Sequence, residues 1–181
     1  MTSAAARNLR PVLLDDVVAR TAPTALAREH TLPVLPALSR LFPERCLQRG
    51  TTVLVRGAGA ASLALAVAAG PSQGGSWVAT VGLPSLGLAA SAEAGVAFER
   101  LAVIAEPPRA QWGSVVASLI GAFDVVLVAA PRRVTTADNR RLAARSRERG
   151  TVLVLVDLEH TTRTAATPPP RGKGLDADVV L

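Results

Sequence analysis

The sequence predicts a three-layer α/β domain built on a mainly parallel sheet, and three observations carry that expectation. From residue 51 onward, apolar runs of strand length alternate with helical patterns. Four of the runs, VLV, LAVIA, VVLVAA and VLVLV, are nearly continuous in apolar residues, as parallel strands buried on both faces are. The first run leads through a glycine-rich turn into an apolar helical stretch, a strand–loop–helix unit. No internal repeat is visible.

Residues 1–30 read as an N-terminal helical appendage and residues 31–181 as the core. In the appendage Leu13, Leu14, Val17 and Val18 share one helix face, with Asp15 and Asp16 near its start and Pro23 at its end. Pro33, Pro36 and Pro43 then bracket a short helix containing Leu38 and Leu41. Residues 46–49 form a short strand that turns at Gly50. Core strands are expected at 51–55, 76–82, 101–105, 124–129, 151–156 and 177–181. Helices are expected at 62–69, 86–97, 110–121 and 136–149. Residues 158–175 are a loop, because three consecutive prolines forbid helix and disfavour a central strand. The chain closes on Val179, Val180 and Leu181 inside an apolar strand, so a further C-terminal segment is expected beyond it.

Composition narrows the chemistry. Of 181 residues 49% are hydrophobic and 19% charged, a globular balance. Aromatic residues are 3% with no tyrosine, so the core must be built from Ala, Val and Leu. Cys46 is alone, which excludes an internal disulfide and a cysteine-based zinc site. Two histidines, His30 and His160, are too few for an ordinary protein-held zinc site. No secretory signal opens the chain, and the longest apolar stretch, 63–70, is far below membrane-spanning length. A cytoplasmic protein without a membrane partner is therefore expected. The net charge of +6 is unevenly placed: residues 131–150 carry seven arginines against two acids.

The glycine-rich turn lies on the template of a phosphate-binding loop, G-x-x-x-x-G-K-[ST]. Gly57 takes the first glycine, Ser62 the second, Leu63 the lysine and Ala64 the Ser/Thr, with Gly59 inside the loop. The lysine normally reaches the β- and γ-phosphates and the hydroxyl holds Mg²⁺. Leu63 and Ala64 can do neither. The strand at 124–129 stands where a Walker B strand would end in a magnesium-ordering acid, and Ala129 fills that place. Asp124 opens the strand at the end away from the phosphates. A dinucleotide turn is the other reading of Gly57 to Ser62, but the next strand ends Thr80-Val81-Gly82-Leu83 without the acid that binds ribose. A third reading is a turn that binds nothing. No cofactor, no metal and no ATPase activity are expected.

The basic segment reads as a helix over 136–149, with Thr136 as its cap, Asp138 in its first turn and Leu142 in the core beside Ala143 or Ser146. Arg140, Arg141, Arg145, Arg147 and Arg149 spread over the remaining faces. They form either a solvated surface or a footprint for phosphate or an acidic partner. Trp112 is expected in the core or half-buried beside it. His160 near Asp157 has no nucleophile beside it and reads as a loop residue.

With these pieces placed, residues 31–181 resemble the RecA-like recombinase core of the P-loop NTPase class, and most closely ImuA-type mutasome proteins of actinobacteria. The run LPVLPALSRLFPERCLQRGTTVLVRGAGAASLALAV is similar to the recombinase approach to its P-loop. VGLPSLGLAASAEAGVAFERLAVIAEP is similar to the next strand–helix–strand unit, without the catalytic glutamate. DVVLVAAP matches the Walker B strand, and TVLVLVD, the long loop and ADVVL match the strand and second DNA-binding loop. Arg163, Arg171 and Lys173 lie in that loop. The first DNA-binding loop is missing, since Pro131 runs through Arg132 and Arg133 almost directly into the basic helix. The resemblance implies a pseudo-ATPase adaptor in SOS-induced, error-prone translesion synthesis. Its partner would be an inactive Y-family polymerase homologue, ImuB, and through it an error-prone replicative-type polymerase, with RecA as a further candidate. Contact with nucleic acid would be weak and salt-sensitive at most. A divergent ATPase of recombination or repair, and an SOS-linked cell-division inhibitor, are the alternatives.

Overall fold

The computed structural model describes residues 30–83, 88–129, 136–158 and 177–181. The chain divides into two units at Thr31, and the second, Thr31–Leu181, holds both sheets. The expected N-terminal helix, residues 159–175 of the expected loop and the residues Arg132, Arg133, Arg163, Arg171, Lys173 and His160 lie outside the described residues.

Among the described residues eight strands form two sheets. β1 (Thr31–Leu32) pairs antiparallel with β2 (Leu47–Gln48) in a small ribbon. The main sheet contains β3 (Thr52–Arg56), β4 (Val78–Val81), β5 (Leu101–Ile104), β6 (Val125–Ala129), β7 (Val152–Asp157) and β8 (Val179–Val180). Their order is β5-β4-β6-β7-β3-β8, and every pairing is parallel. The helices described with them are α1 (Ala60–Gln73), α2 (Leu88–Glu93), α3 (Trp112–Leu119) and α4 (Thr136–Arg149). The expected fold class, a three-layer α/β domain on a parallel sheet, is the one the chain adopts.

The layers follow from strand alternation. Val53, Val55, Val125, Leu127, Val152 and Val154 face one way and pack with α1. Leu54, Ala79, Val81, Val126, Leu153 and Leu155 face the other way, against Trp112 and Val116 of α3 and Leu142 of α4. α1 is buried along most of its length, as a helix apolar on all sides must be. Its Pro71 stands in the last turn, and Gly70 is where residues 33–35 cross it at backbone contact.

Three expectations change. α1 begins at Ala60 rather than at residue 62, and its N-cap is Gly59 at φ 85°, a left-handed conformation that glycine adopts without strain. Thr136 is the first residue of α4, so the capping place falls on residue 135, outside the described residues. The run LAVI of β5 is not buried on both faces: β5 is an outer strand, and Val103 is 61% exposed. Apolar composition reports a strand's chemistry, whereas its place in the sheet order depends on pairings the run itself does not encode.

The N-terminal rim of the sheet is stitched by side chains. Asp124 pairs with Arg49 at 2.7 Å and accepts the Trp77 N–H at 2.8 Å. Asp178 accepts the Thr52 N–H at 2.8 Å, and Thr151 Oγ1 accepts from Gly121 N–H while donating to the Phe123 carbonyl. Asp124 is thus a structural clamp at the start of β6.

Candidate phosphate loop and partner surface

Because the sheet is parallel, the C-terminal ends of all its strands meet at one edge. There the chain leaves β3 and crosses past β7 and β6 to reach β4, a switch point of the kind that forms ligand crevices. The loop at this point is Gly57-Ala58-Gly59. Gly57 and Gly59 have φ of 96° and 85°, and a Cβ on either would meet nothing within 4 Å. The loop is three residues long between Arg56 and Ala60, so Ser62, Leu63 and Ala64 all fall in the first turns of α1. Leu63 donates its N–H to the Gly59 carbonyl at 2.9 Å, and its half-buried side chain packs against the α1-side core. Ala64 is fully buried. The position of the lysine in the template is thus spent on packing.

Ala129 ends β6 on the same face as α1 and also packs against that core. Among the described residues the carboxylate at the C-terminal ends of β3, β6 and β7 is Asp157, which register places beside Arg56. By alternation with Leu54, Leu153 and Leu155, this pair faces the α3 and α4 layer, away from α1. Arg56 Nε is buried without a hydrogen-bond partner among the described residues. The Arg56–Asp157 juxtaposition escaped the sequence reading because it depends on which strands are neighbours. Among the described residues no group of three or more His, Cys, Asp or Glu could hold a metal ion. Cys46 is half-buried; burial, and then the Glu44 carboxylate, push its thiol pKa up, which leaves it a poor nucleophile.

The basic helix presents a second surface. Asn139, Leu142, Ala143 and Ser146 of α4 are buried, at the spacing of one helix face. Leu142, Ala143 and Ser146 stand where the sequence put them; Asn139 was missed, because a polar residue carries no hydrophobic signal. Arg140, Arg141, Arg145, Arg147 and Arg149 are all exposed. Arg141 and Arg145 face α3 across a groove of about 640 Å³. Arg109, Trp112 and Ser114 line the other wall, and Asp138 and Glu148 also border it. Trp112 is 8% exposed, core as expected, yet its edge forms part of the groove. The sequence located the helix but not the groove, which exists only through the packing of α3 on α4.

No helix among the described residues is long and apolar enough to cross a membrane. A family model, the MT3502 N-terminal domain, matches residues 40–162. A protein of Mycobacterium tuberculosis (strain ATCC 25618 / H37Rv), "Uncharacterized protein Rv3395c", is 40% identical over 125 residues, covering 63% of this chain and 61% of that one. The match spans about three fifths of the length of that relative. Among solved structures, SulA from Pseudomonas aeruginosa is similar at TM-score 0.48 and 17% identity, over 59% of this chain and 95% of SulA. The RadB recombinase is similar at TM-score 0.40 and 18% identity, over 60% of this chain and 61% of RadB.

Proposed function

The chain belongs to the MT3502 N-terminal domain family, and from that premise we propose that it is a non-catalytic, RecA-like adaptor of DNA-damage-induced translesion synthesis. Its partner is an inactive Y-family polymerase homologue of the ImuB type. One observation carries the non-catalytic part: at the loop, the lysine, hydroxyl and acid places hold Leu63, Ala64 and Ala129, and all three side chains are turned to packing. A triphosphate there would find neither the cation nor the magnesium ligands that hold its charge. The adaptor part rests on the resemblance to ImuA-type proteins and on the exposed arginines of α4 beside the Trp112 groove. An acidic patch on the partner would be steered to them.

Two measurements test this. Titration calorimetry with Mg-ATP is expected to give no binding heat for the native chain or for Leu63→Lys, since the lysine alone restores neither magnesium-ordering group. Leu63→Lys should also lower stability by about 1–3 kcal/mol, because Leu63 is packed against the core. A micromolar dissociation constant for the native chain would overturn the pseudo-ATPase reading. For the partner, charge reversal at Arg140, Arg141 and Arg145 should weaken co-purification with the polymerase homologue by about tenfold or more, on the order of 1.4 kcal/mol per decade. The melting temperature should hold, because these side chains are exposed. Undiminished complex formation would remove the helix from the interface.

A further inference from the structure

The groove between α3 and α4 carries a charge order that selects its occupant. Asp138, Arg141, Arg145 and Glu148 of α4 border it at spacings of three, four and three residues, which keeps them on one helix face. Along that wall the order is acid, base, base, acid. By helix rise the two arginines stand about 6 Å apart and the two acids about 15 Å. Arg109 adds a third guanidinium from the α3 side. Arg109, Arg141 and Arg145 make no hydrogen bond or ion pair among the described residues, so all three can receive an anion. Trp112 and Leu142 supply apolar wall beside them.

This order disfavours a polyanion laid along the groove. A nucleic-acid strand carries a phosphate about every 3.4 Å of a duplex axis, and would press charge onto Asp138 and Glu148 as well as onto the arginines. Trp112, 8% exposed, shows too little ring for a base to stack on. A helix laid beside α4 has the same rise and so matches the spacing residue for residue. We propose that the groove docks an amphipathic helix of the partner protein bearing base, acid, acid and base at the same three, four and three spacing. Its two carboxylates pair with Arg141 and Arg145, and its outer bases meet Asp138 and Glu148. An apolar residue between the two acids packs on Trp112 and Leu142. A slip of one turn sets an acid of the helix against an acid of the groove, so the pattern fixes register as well as affinity. The inference rests on the reading of this chain as an adaptor.

Trp77→Phe leaves Trp112 as the one tryptophan of the chain, a reporter inside the groove. The probe, titrated into the full chain with that change, is an alanine-based helical peptide. It carries lysine, glutamate, glutamate and lysine at the matching spacing, with a leucine between the glutamates. A saturable change in Trp112 emission is expected, weakened by salt. Glutamine in place of the probe's glutamates, or Arg141→Gln with Arg145→Gln in the chain, should each weaken binding by about tenfold. Arg40→Gln, the loss of an exposed charge elsewhere, should change it by no more than about twofold. Glu148→Gln should weaken the peptide and strengthen a single-stranded oligothymidylate, which binds the native groove less tightly than the peptide does. No saturable change, a glutamine peptide that binds as well, or an oligothymidylate that binds more tightly would each overturn the docking helix, the last in favour of nucleic acid. Co-purification with the polymerase homologue separates the groove from the reading it rests on. A homologue that fails to co-purify while the probe binds leaves the groove standing and refutes that partner. Co-purification undiminished by Arg141→Gln with Arg145→Gln refutes the groove and leaves the adaptor.

Discussion

Gly70→Val should destabilise the domain severely, and Gly70→Ala should already destabilise it, although alanine is the better helix former. A Cβ at Gly70 would stand 2.7 Å from the Pro33 carbonyl oxygen, 2.8 Å from Val34 Cα and 2.9 Å from Leu35 N. All three are backbone atoms, so no rotamer change can relieve them. Helix propensity alone would make Gly70→Ala stabilising by about 1 kcal/mol. Overpacking against a fixed backbone costs about 1–3 kcal/mol for a small addition, and more for valine. The sign of Gly70→Ala in urea denaturation therefore reports whether the 33–35 segment crosses α1 at contact distance. A gain in stability would show that it does not.

Leu155→Ala should cost about 2–5 kcal/mol, the range for emptying a buried leucine site. Leu155 is 1% exposed on β7, in the cluster that joins the sheet to α3 and α4. With so few aromatics in the chain, this layer depends on its leucines, on Ile120 and on Trp112, and neighbouring strand backbones cannot collapse into the space. Leu41→Ala, at a side chain 47% exposed, should change stability by no more than about 0.5 kcal/mol. Equal effects in chemical denaturation would mean that the layer is not packed as described.

Much of this fold could be read from the chain. Periodicity placed α4 at its observed bounds, and the strands fell within two residues of expectation, because each signal is local. What escaped was relational. The spacing of Gly57 and Gly59 fits a longer loop as well as the short one observed, since left-handed φ at Gly59 is a backbone choice that glycine permits but does not announce. LAVI and VLVLV look alike in sequence, yet one is an edge and the other central. That Leu63, Ala64 and Ala129 stand at the template's lysine, hydroxyl and acid places was legible, because it is a matter of which residues stand at fixed spacings. The Arg56–Asp157 neighbours and the Trp112 groove were not, because they join elements that are distant along the chain.

The clamps at the start of the strands have a consequence for how such a chain can change over time. Asp124, Asp178 and Thr151 tie residues up to 126 positions apart, and all of them hold the end of the sheet opposite the glycine loop. The main sheet is fastened at one end, so its other margin can be recut while the strands stay in order. Loss of nucleotide chemistry at that margin would then carry little penalty in foldedness. A lineage could discard catalysis there and keep the scaffold for docking.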